Sequence, residues 1–129
     1  DHVLQEVARI LVEETRSEDT VARVGGDEFM LFFAGRMNRR RLDDISHRLI
    51  RRLEVPIVFG GEYCRISGSI GITMSEDYPE IDIPRMQEDA DLALYASKHR
   101  GRHTFFDLSL RNAAFVGAAP PGRDAVSLP

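Results

Sequence analysis

Two carboxylates follow directly on a pair of glycines at residues 23–29. Asp27 and Glu28 come after Gly25 and Gly26, and apolar runs lie on both sides. Because glycine readily adopts positive φ angles, the pair favours a tight hairpin turn. Such a turn lets a bulky anionic ligand approach bare backbone, and carboxylate oxygens are the hard ligands that Mg²⁺ prefers. The pattern therefore indicates a site for a metal-bound nucleotide triphosphate. An acidic turn that is merely solvated is the alternative.

A basic pair lies far downstream in the chain. Lys98 and Arg102 are four residues apart and would share one face of a helix. Cations near a helix C-terminus are favoured by the helix dipole alone. The pair therefore has a structural explanation as well as a phosphate-binding one.

Three ordered motifs resemble those of one protein family. Residues 25–29, Gly-Gly-Asp-Glu-Phe, resemble the signature of the GGDEF family, the diguanylate cyclases. Residues 90–102, Ala-Asp-Leu-Ala-Leu-Tyr-Ala-Ser-Lys-His-Arg-Gly-Arg, are similar to the family's second pattern, and residues 69–72, Ser-Ile-Gly-Ile, to its SIG strand. Together the matches span most of residues 1–107, which makes them far more specific than a single short motif.

The resemblance implies a nucleotidyltransferase that condenses two GTP into cyclic di-GMP and two pyrophosphates. It implies Mg²⁺ or Mn²⁺ as the cofactor and a homodimer as the catalytic form. Asp27 would coordinate metal and take part in catalysis, and Glu28 would support the same metal site. The implied GTP-binding residues are Asp1, Gly25, Gly26, Lys98 and Arg102. Asp1 has a second explanation, since aspartate also suits a helix N-cap.

A second site is implied by Arg16 and Asp19, which form an RxxD motif that five residues separate from Gly25. That spacing resembles the family's inhibitory site for the product, cyclic di-GMP. Arginine can bind phosphate or guanine with two hydrogen bonds, and aspartate can accept from guanine N–H groups. Arg48 stands where the family often adds another arginine. The alternative is a solvated helix end.

Two further functions are compatible with the motifs. A catalytically inactive GGDEF module could bind cyclic di-GMP or GTP and regulate a neighbouring domain, and a structural remnant is the third possibility. A sensor domain upstream or an EAL phosphodiesterase domain downstream is the expected neighbour in the parent protein.

Hydrophobic periodicity and turn residues predict the elements that position these motifs. Apolar positions at helical spacing predict three helices, and glycine pairs predict two hairpins. The predicted elements are a helix over 1–15, a hairpin over 20–34, a helix opened by Asn38, a hairpin of strands 55–59 and 63–74 about Gly60–Gly61, a helix with Pro84 in its first turn and capped by Gly101, and a strand over 104–106.

This order predicts an α+β sandwich, with helices packed on a mainly antiparallel central sheet. The resemblance implies a GGDEF fold, similar to the palm of nucleotidyl cyclases, over residues 1–107. It also implies a first strand and helix that are missing from this chain, together with a metal-binding aspartate. We therefore expect an incomplete domain with little or no activity by itself. Residues 108–129 are expected to form a disordered tail.

Composition narrows the partners and the compartment. The 129 residues carry a formal net charge of −4, and the arginines around positions 36–52 lack interleaved aromatic residues. Nucleic acid is therefore not expected as a partner. No apolar run reaches the length of a membrane span. The single cysteine, Cys64, and the family resemblance favour a reducing, cytoplasmic location.

Overall fold

The chain divides into two units, Asp1–Gly68 and Ser69–Ser127, and each is described by itself. A computed structural model describes residues 2–26, 28–35, 37–66, 68–100, 103–105, 107 and 110. Among these residues, no helix combines the length and the apolar character that crossing a bilayer requires.

Two amphipathic helices form the core of the first unit. Helix α1 runs over His2–Glu13 and buries Val7, Ile10 and Leu11, the stripe that its helical spacing predicts. Helix α2 runs over Arg39–Leu53. Its N-cap is Asn38, whose side-chain oxygen accepts a hydrogen bond from the Arg41 N–H at 2.8 Å. Both predicted helices are confirmed.

The first hairpin joins β1, Thr20–Gly25, to β2, Glu28–Phe32, in antiparallel register. Thr20 lies opposite Phe32, and Gly25 lies opposite Glu28, so the turn lies between Gly25 and Glu28. A register shift between Arg23 and Gly25 marks a bulge next to the turn. The predicted hairpin over 20–34 is confirmed.

The second hairpin is shorter than predicted. Strands β3, Ile57–Phe59, and β4, Glu62–Cys64, pair across Gly60 and Gly61, whose φ angles are 60° and 81°. Two successive positive φ angles are the requirement of the tight hairpin turn that suits strand twist. The prediction of one strand over 63–74 is wrong, because β4 ends at Cys64. Glycine and serine occupy positions 67–69, and both residue types favour turns, which end a strand.

In the second unit a helix connects two parallel strands. Strand β5, Ile70–Ile72, pairs in parallel with β6, His103–Phe105, and helix α3 runs over Ile83–Arg100 between them. Parallel neighbours require such a crossover, which is usually a helix. Asp82 accepts a hydrogen bond from the Arg85 N–H at 3.1 Å and begins the helix. A short 3₁₀ turn, Ser75–Asp77, follows β5.

Close contacts hold β5 and β6 against α3. A Cβ atom at Gly71 would lie 2.2 Å from the Ala90 carbonyl oxygen and 2.4 Å from the Leu94 nitrogen. Only glycine therefore permits this approach of strand to helix. Leu110 is buried against Ala93 and Ala96 on the same helix.

The fold class is confirmed as α+β. The described residues form three helices and three two-stranded ladders, of which two are antiparallel and one is parallel. Position 101, which was predicted to cap α3, lies outside the described residues, as does nearly all of the predicted tail. The domain boundary at residue 107 remains a prediction.

Candidate functional site

The turn of the first hairpin is open around its glycines. A Cβ atom at either Gly25 or Gly26 would meet no heavy atom within 4 Å. Gly26 has a φ of 51°, in the left-handed region that favours glycine. The Arg23 side chain donates a hydrogen bond from Nε to the Gly26 carbonyl oxygen at 2.8 Å and fixes the turn from one side. The backbone of this turn is therefore both held in place and accessible.

Gly25 differs from Gly26 in having no conformational reason to be glycine. It pairs with Glu28 as the last residue of β1, and its φ is not in the positive range. Glycine inside a strand costs about 0.5–1 kcal/mol of stability relative to alanine. Its presence here suits the close approach of a ligand to the backbone.

Glu28 is the first residue of β2 and lies next to the hairpin turn. It is only 9% exposed, and carboxylates are rarely so buried. Buried carboxylates need hydrogen-bond donors or a cation to offset their desolvation. Its oxygens are hard ligands of the kind that Mg²⁺ and Mn²⁺ accept, so the residue fits the implied metal site. Asp27, the other implied metal ligand, lies outside the described residues.

The remaining residues of the implied GTP site are only partly described. Lys98 is exposed on α3 in the second unit, two residues before the end of that helix. Arg102 and Asp1 lie outside the described residues. The placement of the basic pair relative to the hairpin turn is therefore a prediction from the sequence.

The RxxD motif lies at the open end of the first hairpin, where Arg16, Asp19 and Ala34 form a hydrogen-bonded cluster that we call the bracket. The Asp19 carboxylate accepts hydrogen bonds from the backbone N–H of Arg16 at 2.8 Å and of Ala34 at 2.9 Å. The Arg16 guanidinium donates to the Ala34 carbonyl oxygen at 3.0 Å and lies 3.6 Å from Asp19 Oδ2. The motif thus ties the residue before β1 to a residue just beyond β2.

The environment of Asp19 favours its charged form. Burial by itself would raise the pKa of the Asp19 carboxyl, whose side chain is 1% exposed. The two backbone hydrogen bonds from Arg16 and Ala34, together with attraction to the Arg16 guanidinium, outweigh burial and lower that pKa below its usual value. Asp19 therefore has a structural role in the folded chain, whatever it binds.

Arg48, the third residue of the implied inhibitory site, pairs with Glu14. Its Nε donates to Glu14 Oε1, and Arg52 Nη1 donates to Glu14 Oε2 at 3.1 Å. Glu13 continues the row by accepting from Arg52 Nη2 at 2.6 Å and from Arg9 Nη1 at 2.7 Å. These ion pairs join the C-terminal end of α1 to α2.

Sequence reasoning missed three contacts of these sites. Glu14 could have been noticed as an acid two residues before Arg16, and Arg23 as a cation beside the glycine pair. The backbone partner Ala34 carries no signal in the sequence, because it lies 15 residues from Asp19 and contributes only main-chain atoms.

A comparison with protein families decides the classification of the chain. Residues 1–104 match the family model described as diguanylate cyclase, GGDEF domain. The chain belongs to the GGDEF domain family. The resemblance inferred from the three motifs is therefore confirmed.

Curated GGDEF relatives carry cyclase names. MucR of Pseudomonas aeruginosa, a bifunctional diguanylate cyclase/cyclic di-GMP phosphodiesterase, is 35% identical over 114 residues, which cover 85% of this chain and 16% of MucR. Diguanylate cyclase A of Treponema denticola is 34% identical over 104 residues, covering 80% of this chain and 28% of the relative. The chain thus spans only a small part of the curated relatives it matches.

Solved GGDEF structures resemble the fold. The GGDEF domain of TpbB (or YfiN) from Pseudomonas aeruginosa, in a form shortened at its N-terminus, superposes with a TM-score of 0.75 at 28% identity. That match covers 88% of this chain and 67% of the other. An EAL/GGDEF domain protein from M. capsulatus gives a TM-score of 0.73 at 32% identity, covering 83% and 70%.

Proposed function

We propose that this GGDEF domain is a diguanylate cyclase, which condenses two GTP into cyclic di-GMP. In each of two steps a ribose 3′-hydroxyl attacks the α-phosphorus of the other nucleotide. A P–O bond forms, the α–β phosphoanhydride bond breaks, and pyrophosphate leaves as the hydroxyl loses its proton. The observation that carries the proposal is Gly25, a strand glycine with open space where a side chain would be.

Each residue of the turn has a distinct role in this proposal. Gly25 and Gly26 let the nucleotide lie against the backbone, and Arg23 keeps the Gly26 carbonyl in place. Asp27 and Glu28 hold the divalent cation. When bound, Mg²⁺ or Mn²⁺ neutralises phosphate charge and favours the ionised form of the attacking hydroxyl.

The outer residues bind the rest of GTP. Lys98 and Arg102 bind the triphosphate through charge-assisted hydrogen bonds. Asp1 accepts from the guanine edge. Since each chain would bring one GTP, the active form is a homodimer in which two such sites face each other. The domain would act in the cytoplasm, next to a sensor or an EAL domain of the parent protein.

We propose further that product binds at Arg16, Asp19 and Arg48 and inhibits the enzyme. The bracket supports this role through Arg16, whose exposed guanidinium is held in place beside the buried Asp19 carboxylate. Preorganised groups lose less entropy on binding. The same observation favours a second candidate function, a module that binds cyclic di-GMP without catalysis and regulates a neighbouring domain.

Turnover of Mg·GTP, with chromatographic detection of cyclic di-GMP, separates the two candidates. For a cyclase, product forms and disappears in Asp27→Ala, which keeps its binding of cyclic di-GMP. Arg16→Ala does the reverse, so that turnover continues and product inhibition is relieved. Folded protein that binds cyclic di-GMP but makes no product would fit both an incomplete cyclase and the sensory module, and turnover by the parent protein then separates them. Absence of both activities from the parent protein would contradict both.

A further inference from the structure

The ion pairs between α1 and α2 engage a residue of the proposed inhibitory site. Both carboxylate oxygens of Glu14 accept from arginines of α2, one from Arg48 and the other from Arg52. The Glu14 side chain is only 12% exposed, whereas that of Arg48 is 49% exposed. The Arg48 guanidinium is thus accessible on one side and bound to a carboxylate on the other.

The same carboxylate lies close to the RxxD motif along the chain. Glu14 is followed by Thr15, whose hydroxyl donates to the carbonyl oxygens of Leu11 and Val12 at 3.0 Å, and then by Arg16. These bonds fix the end of α1 where it leads into the motif. The Glu14 pair therefore holds the Arg48 guanidinium against a carboxylate that lies two positions before Arg16 in the chain.

We infer that Glu14 competes with the phosphate of cyclic di-GMP for Arg48 and thereby weakens product inhibition. This inference rests on the proposed inhibitory site. A phosphodiester that binds Arg48 through Nε must displace the Glu14 carboxylate, and one that binds through the other N–H groups shares the guanidinium with the negative charge of Glu14. The affinity of the site is then set by a residue outside the RxxD motif.

Arg16 has a weaker competitor of the same kind. Its Nε lies 3.2 Å from Glu18 Oε1, and the Glu18 side chain is 51% exposed. Exposed ion pairs contribute little, because water and salt screen them and both side chains lose freedom. Glu14 is more buried and binds two arginines, so its removal has the larger effect.

Calorimetric titration of the 129-residue chain with cyclic di-GMP tests the inference. We expect Glu14→Gln to bind at least about five-fold more tightly than the unmodified chain, and Glu18→Gln less than about two-fold more tightly. Glu13→Gln is the matched control, since it removes the same charge from a neighbour that pairs with Arg9 and Arg52. It should change the affinity less than about two-fold.

A double-mutant cycle assigns the gain to Arg48. In an Arg48→Gln background, Glu14→Gln should bring no further gain. Equal or weaker binding by Glu14→Gln, or a gain that persists without Arg48, would overturn the inference while leaving the inhibitory site intact. Absence of binding by every variant, Glu14→Gln included, would overturn the inhibitory site and the inference with it. Circular dichroism of each variant confirms that it is folded.

Discussion

Each of the two hairpins of the first unit contains a glycine pair and an acid that begins the second strand, but the pair lies differently relative to the turn. In the second hairpin Gly60 and Gly61 form the turn, both with positive φ, and Glu62 is exposed. In the first hairpin only Gly26 has a positive φ, while Gly25 is a paired strand residue opposite the buried Glu28.

The difference separates glycine that folding needs from glycine that folding tolerates. Gly60 and Gly61 are explained by turn geometry alone. Neither the φ angle at position 25 nor crowding around it requires a glycine there. The acid opposite Gly25, Glu28, is buried, whereas Glu62 is exposed. The first hairpin therefore has the features of a ligand site, and the second has those of a structural turn.

The largest effect is expected on catalysis. In the parent protein, Glu28→Gln removes a proposed metal ligand and should lower the turnover of Mg·GTP by about 100-fold. Glu62→Gln is the matched control, because it makes the same change after the other glycine pair, and it should leave turnover unchanged. Equal losses in the two variants, measured as initial rates of cyclic di-GMP formation, would remove the distinction between the hairpins.

Gly71 provides a third case, a glycine that close packing requires. Gly71→Ala places a methyl group against the backbone of α3, at Ala90 and Leu94. We expect it to lower the free energy of unfolding by about 1–3 kcal/mol or more, as overpacking does. Denaturant titration checks this, with Gly25→Ala as the control that has open space. Unchanged stability in Gly71→Ala would show that strand and helix separate easily.

The bracket at the open end of the first hairpin predicts a dependence on pH. Asp19→Asn loses a charged acceptor of two backbone hydrogen bonds and should lower stability by about 1–2 kcal/mol near neutral pH. Because the pKa of Asp19 is lowered on folding, its contribution is complete above the unfolded pKa and is lost as pH falls through the folded one. The difference between the two proteins should therefore shrink below about pH 4. A difference that stays constant to pH 2 would contradict this.

The smallest effects are expected in the turns themselves. Gly61→Ala forces a side chain into the left-handed region and should cost about 1 kcal/mol of stability. Gly25→Ala should leave stability unchanged or raise it by about 0.5 kcal/mol, while weakening the binding of Mg·GTP. If Gly25→Ala lost stability and bound Mg·GTP unchanged, Gly25 would be a structural glycine, and the first hairpin would lose its distinction as the ligand site. Thermal unfolding and GTP titration of both variants measure these changes.

The local elements of this fold follow from the sequence because they depend on neighbouring residues. The spacing of Val7, Ile10 and Leu11 predicts α1, the cap at Asn38 predicts the start of α2, and the glycine pairs predict the hairpins. The contact of Gly71 with α3 depends on packing between segments about 20 residues apart, which periodicity does not encode.

The candidate sites divide in the same way. The motif around Gly25 and the RxxD spacing could be found in the sequence, since both are short and contiguous. The link from Asp19 to Ala34 and the pairing of Glu14 with Arg48 join residues 15 and 34 positions apart. Such contacts form only when the chain folds. In our proposal they affect the affinity of the inhibitory site for cyclic di-GMP.

The most direct measurement is the broadening of backbone amide signals by Mn²⁺·GTP in a ¹H–¹⁵N NMR spectrum of the chain. A paramagnetic ion at the first turn should broaden the signals of Gly25 and Gly26 and leave those of Gly60 and Gly61 sharp. Equal broadening at both glycine pairs, or broadening only at Gly60 and Gly61, would contradict a nucleotide site at the first hairpin.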